Sequence, residues 1–129
     1  MEKKIIITAA LFGIVAIILG AFGAHVLKKV LQVEQLTSFE TGVRYQMYHA
    51  LFLLFLGNFS WLTLKEKAIV FYLVLTGVLL FSGSIYLLST SVITGIKTKI
   101  LGPITPIGGM FLIVSWVYFL YAVIVKNIN

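Results

Sequence analysis

The sequence predicts an all-α integral membrane protein, an antiparallel four-helix transmembrane bundle with a short interfacial helix between spans 1 and 2. Three observations lead there. Of 129 residues, 60% are hydrophobic and 11% charged, with a mean hydropathy of +1.09, far from the balance of a soluble domain. The apolar residues fall in four runs, and about 20 apolar residues cross a hydrocarbon core of roughly 30 Å, so four spans nearly exhaust the chain and leave no room for a soluble catalytic domain. Helix-capping patterns and a glycine–proline turn punctuate the runs. The expectation is a single domain, 1–129, with spans at 5–25, 38–61, 64–88 and 106–126.

Lys3 and Lys4 precede the first run, Ile5 to Ala24, which only Thr8 interrupts. A basic start, an apolar stretch and small residues resemble a signal peptide, but the run exceeds the 7 to 15 residues of an h-region, so it is read as a retained helix. Ala9, Gly13, Ala16, Gly20 and Ala24 form a stripe of small side chains that lets another helix approach closely, within the chain or in a homo-oligomer. After His25, Val26 to Leu36 alternates apolar residues with Lys28, Lys29, Gln32 and Glu34, the pattern of an amphipathic helix at the headgroups.

Thr37-x-x-Glu40 reads as a capping box, which starts the second helix near Ser38. Thr63-x-x-Glu66 repeats the box, so helices two and three are joined by a few residues and are antiparallel neighbours. The third helix carries Gly77 and Ser82-Gly83-Ser84, suited to close approach and interhelical hydrogen bonds. Gly102-Pro103 makes a turn, Thr105 reads as an N-cap with Pro106 at the first helical position, and Trp116, Tyr118, Tyr121 and Lys126 are placed to mark an interface.

The formal charge of +6 does not point to nucleic acid, because the basic residues stand in ones and twos at the ends of apolar runs, where they meet lipid phosphates. Lys3, Lys4, Lys65, Lys67 and Lys126 lie on the side of the termini, and Lys28, Lys29, Arg44, Lys97 and Lys99 on the other. If Glu40 neutralises Arg44, the balance tips toward cytoplasmic termini. Cysteine is absent, which removes thiol catalysis, disulfides and thiolate metal sites.

Chemistry concentrates between Thr37 and Leu56. Gly42, Tyr45, Gln46 and His49 share one helical face, while Glu40, Arg44 and Tyr48 form a second row on roughly the opposite side. Three readings follow. In the first, Glu40 pairs with Arg44 at the interface, and Tyr45, Gln46 and His49 hydrogen-bond to Ser82, Ser84 or carbonyls of neighbouring helices. In the second, His49, Arg44 and the first amides of helix four, near Thr105, bind a small polar ligand, ion or lipid headgroup, with His25 and His49 as a proton relay. In the third, His25, Glu40 and His49 hold zinc, or His49 acts as a general base, but no HExxH or GxSxG spacing supports it.

Four blocks, GAFGAH at Gly20 to His25, FETGVRYQMYHA at Phe39 to Ala50, FSGSIYLL at Phe81 to Leu88 and LGPITPIGGMF at Leu101 to Phe111, resemble domain-of-unknown-function family 423. This family groups small bacterial inner-membrane proteins and has a related four-span protein in animals. The resemblance implies a four-helix protein of the bacterial cytoplasmic membrane and no reaction. Ser115 departs from the glycine expected there, which bears on the tightest contact of helix four. The expectation is a non-enzymatic accessory or scaffold protein without catalytic residues, metal or cofactor. Its partners would be membrane lipids, a further copy or another membrane protein. The alternative is binding or transport of a small polar ligand, ion or lipid.

Overall fold

A computed structural model describes residues 1–126, which are helical throughout apart from short links, with no strand among them. In chain order the elements are α1 (Glu2–His25), a 3₁₀ turn (Leu27–Lys29), α2 (Val33–Asn58), α3 (Leu64–Ser89), the single-turn α4 (Ser91–Thr94) and α5 (Ile104–Val125). Three of these stretches, Glu2–Lys29, Leu64–Ser89 and Ile104–Val125, are long and apolar enough to cross a membrane. α2 has 26 residues, about 39 Å at 1.5 Å per residue, but Glu34, Glu40, Arg44, Gln46 and His49 make its first two-thirds too polar to join them.

The helix starts show which capping signals the chain obeys. At Thr63 the expected box forms, since its hydroxyl accepts from the Glu66 N–H at 3.1 Å and the Glu66 carboxylate accepts from the Thr63 N–H at 2.8 Å. At Thr37 the expectation fails. α2 has already begun at Val33, where the Gln35 side-chain carbonyl accepts the Gln32 N–H at 3.2 Å. Thr37 sits inside the helix and donates its hydroxyl back to the Val33 carbonyl at 2.8 Å, as threonines within helices do. The interfacial helix expected over Val26–Leu36 is therefore replaced by one 3₁₀ turn and the first turn of α2. Leu27 and Leu31 are drawn inward onto Phe39, with Leu19, Leu36, Val43 and Tyr86 around them.

α5 also begins slightly before its expected cap, at Ile104, with no side-chain cap. Pro106 is tolerated because the first four N–H groups of a helix lack intrahelical partners. Thr105 is thus not a cap, and its hydroxyl turns to Ser84 on α3 at 2.5 Å.

The main core joins Ile5 and Ala9 of α1, Phe52, Leu53 and Leu56 of α2, Val70, Phe71, Val74 and Val78 of α3, and Leu112 and Ala122 of α5. Small residues set the closest approaches. A Cβ on Gly108 would stand 2.3 Å from the Phe81 backbone nitrogen, and one on Gly77 would stand 2.6 Å from a Leu112 methyl, so α3 and α5 meet almost backbone to backbone. Ser115 is fully buried and satisfies its hydroxyl on its own helix, at the Leu112 carbonyl, 2.6 Å away. The serine therefore costs no unsatisfied group where glycine was expected.

Two ion pairs lie at the end of the molecule that holds the start of α3. Lys67, with 2% of its side chain exposed, places Nζ 2.5 Å from Glu2, and Lys126 reaches Glu66 at 2.6 Å. Lys67 also points to the Gly57 carbonyl at 3.5 Å. The first pair is asymmetric. Half of Glu2 remains exposed, so water can still solvate it without Lys67, whereas Lys67 without Glu2 would be a buried charge without its counterion.

Candidate functional site

The polar residues of α2 form a seam of hydrogen bonds that reaches all three of the other long helices. Gln46, 4% exposed, donates from Nε2 to the Phe12 carbonyl of α1 at 2.8 Å and accepts the Tyr86 hydroxyl of α3 on Oε1 at 2.7 Å. One turn earlier, the Ser82 hydroxyl donates to the Gly42 carbonyl at 2.7 Å. The glycine at 42 is what lets Tyr86 in, because a Cβ there would lie 2.8 Å from its ring. Phe39 packs on the same ring at 5.2 Å between centroids.

One turn later, His49 links α2 to α5. The Trp116 indole N–H donates to Nε2 at 3.1 Å, and Nδ1 lies 2.7 Å from the Tyr45 carbonyl. An indole N–H can only donate and a carbonyl can only accept, so the two partners assign the neutral imidazole with its proton on Nδ1. Adding a proton at Nε2 would break the bond to Trp116. The indole is held from its other side by Phe52, stacked at 4.0 Å and 10°. Trp116 thus turns its N–H to a buried acceptor on α2 from the middle of α5 while 47% of it stays exposed, so it does not stand at a helix end as the interface marker expected from the sequence.

The other expected site residues are dispersed. Tyr45 contributes its carbonyl, while its ring packs on Phe81 and stays partly exposed. Tyr48 is exposed. The expected Glu40–Arg44 pair does not form: both are exposed, and Arg44 donates instead to the Thr41 hydroxyl at 3.1 Å. A neighbouring threonine on the same helix offers the guanidinium an acceptor without ordering two long side chains. The reason for expecting cytoplasmic termini goes with that pair. Arg44 and His49 are about 140° apart around α2, so they do not share a pocket.

His25 is exposed at the end of α1, roughly 20 Å along that helix from the Phe12 carbonyl that meets Gln46, and does not join His49. The set His25, Glu40 and His49 is therefore not assembled, and among the described residues no three His, Cys, Asp or Glu side chains gather as metal ligands. Ser84 and Thr105 bond to each other and tie α3 to α5. Thr105 also lines an open groove of about 550 Å³ with Glu34, Gln35, Ser38 and Ser89, whereas His49 lines a separate apolar cleft of about 320 Å³ with Tyr45, Phe81, Ile113 and Trp116. Sequence reasoning missed Tyr86, the Phe12 carbonyl and Lys67. Tyr86 stands within a quoted block beside the serines, but nothing in its local pattern points to Gln46, 40 positions away.

Helices of this apolarity, with the buried polar residues Gln46, His49 and Ser82 bonded to neighbouring helices, define an integral membrane protein of unassigned role. Residues 19–109 match the family described as "Protein of unknown function (DUF423)", and the chain belongs to that family. It is 42% identical over 114 residues to a UPF0382 membrane protein of Staphylococcus saprophyticus, covering 88% of this chain and 91% of that one. Against the UPF0382 membrane protein YwdK of Bacillus subtilis it is 39% identical, covering 95% and 97%. A UPF0382 membrane protein of Haemophilus influenzae shares 33% over 94% of each chain. No solved structure matches the chain.

Proposed function

We propose that this chain is a non-enzymatic accessory or scaffold protein of the bacterial cytoplasmic membrane, crossing it four times as one antiparallel bundle. The observation that carries the reading is that the polar face of α2 is engaged in helix-to-helix bonds. Gln46, His49 and Ser82 each bond a neighbouring helix, and among the described residues no buried side-chain nitrogen or oxygen lacks a partner. Such a face has no base or nucleophile free to act on a substrate, and its bonds resemble the polar glue of membrane bundles. The four-span arrangement is supported by the contact register. Along α1 and α2, Ile6 meets Gly57, Phe12 meets Gln46 and Gly23 meets Phe39; α3 and α5 pair Gly77 with Leu112 and Phe81 with Gly108. In both pairs one number rises as the other falls. α2 is long enough to cross beside the others once its polar groups face them.

The test replaces His49. In detergent micelles His49→Ala is expected to lower stability by about 1 kcal/mol, the scale of one interhelical hydrogen bond, and to leave the native mass spectrum without change in retained small molecules. If the variant melts with the wild type and instead loses a bound molecule that the wild type carries, the face is a ligand site and the scaffold reading fails.

A further inference from the structure

At the end of the bundle opposite the two ion pairs, a groove of about 450 Å³ opens between the end of α1 and the link after α3. Phe22, Val26, Leu27 and Val30 form one wall, and Ile93 and Thr94 the other. The hydroxyls near it are already engaged: Thr90 donates to the Tyr86 carbonyl at 2.7 Å, and Thr94 accepts from the Ile96 N–H at 3.4 Å. The interior is therefore apolar, and Phe22, Val26, Val30 and Ile93 are each about half exposed. Its size falls within the roughly 300 to 1,000 Å³ of small-molecule clefts.

The segments that line the groove also carry charge. Lys28 and Lys29 stand between the lining residues Leu27 and Val30 on the 3₁₀ turn, and Lys97 and Lys99 follow Thr94 on the opposite side. All four are exposed. Among the described residues, the ion pairs are those of Lys67 and Lys126 at the other end, and neither Glu34 nor Glu40 pairs with these lysines. An apolar trough whose two lining segments carry four exposed lysines matches a molecule with a hydrocarbon tail and a negative head. We infer that the groove seats one anionic glycerophospholipid of the surrounding bilayer, with an acyl chain along Phe22, Val26 and Ile93 and the phosphate among Lys28, Lys29, Lys97 and Lys99. The site lies outside the polar seam of α2, and its occupancy does not depend on the scaffold role.

Native mass spectrometry of the full chain in detergent, with equal amounts of dioleoylphosphatidylglycerol and dioleoylphosphatidylcholine added, tests the assignment. The wild type is expected to retain one phosphatidylglycerol in preference to phosphatidylcholine, with each lysine accounting for about a fivefold preference. K28Q/K29Q is expected to lower that ratio by about 25-fold, and Lys3→Gln with Lys4→Gln, at the other face, to leave it unchanged. Ile93→Trp, which fills the trough and keeps every lysine, is expected to lose the bound lipid while its circular dichroism and melting match the wild type. Equal retention of the two lipids, an equal fall in the K3Q/K4Q variant, an undiminished phosphatidylglycerol adduct in Ile93→Trp, or a lipid-free dimer that Ile93→Trp dissociates would each overturn it.

Discussion

Gly108→Ala is expected to destabilise the protein by about 3 kcal/mol or more, at the upper end of overpacking effects. The added methyl would sit 2.3 Å from the Phe81 nitrogen and 2.7 Å from both the Leu80 carbonyl carbon and the Phe81 Cα. These are backbone atoms, so no rotamer change can yield, and α3 and α5 must separate along their whole contact. Gly77→Ala should cost less, because its nearest obstacle is the Leu112 side chain, with the Leu112 nitrogen at 3.1 Å. Gly13→Ala and Gly83→Ala meet nothing within 4 Å, and the better helix propensity of alanine, worth up to about 1 kcal/mol, should leave them neutral or slightly stabilised. Reversible unfolding in mixed micelles ranks the four. A Gly108→Ala protein as stable as wild type would show that the helices do not cross at that point.

Gln46→Leu is expected to cost about 2 kcal/mol, the sum of two interhelical hydrogen bonds at about 1 kcal/mol each. The loss is uneven. The Phe12 carbonyl lies within α1 and keeps its intrahelical role, whereas the Tyr86 hydroxyl loses its acceptor on Gln46 and bears the penalty of an unpaired donor. Tyr86→Phe removes that donor and should cost about 1 kcal/mol alone. In the double variant the two costs should fall short of their sum by about 1 kcal/mol, the coupling expected of groups in contact. Strict additivity in the same unfolding assay would mean that the 2.7 Å contact carries no energy.

The two Thr-x-x-Glu patterns show how far local sequence reaches. At Thr63 the link 59–63 brings the chain out of α2 just before the box, and the motif caps the next helix. At Thr37 the same letters stand inside a helix, because burial of Leu31 and Phe39 and the Gln32–Gln35 bond begin α2 earlier. Packing overrides the motif, and a glutamine start is a weaker written signal than threonine. The apolar runs of α1, α3 and α5 were legible because lipid demands them, and the Tyr45–Gln46–His49 face was legible because a polar stripe inside such runs needs partners. The partners were not. Ser82 was a named candidate, but Tyr86, Trp116 and the Phe12 carbonyl are chosen by how the helices cross, which no single-helix periodicity encodes. The Glu40–Arg44 spacing was suitable for an ion pair, yet an exposed pair gains little over solvation, and Arg44 turns to Thr41.

Lys67 and Glu66 are adjacent, yet one grips Glu2 and the other Lys126. The start of α3 is therefore a common latch for the first and the last helix. During synthesis the partners of the Glu2–Lys67 pair are both present as soon as the start of α3 is made, while the Glu66 carboxylate has no Lys126 until the end of α5 is made. The two pairs therefore become available in chain order, the first once α3 exists and the second only once the chain has reached Lys126.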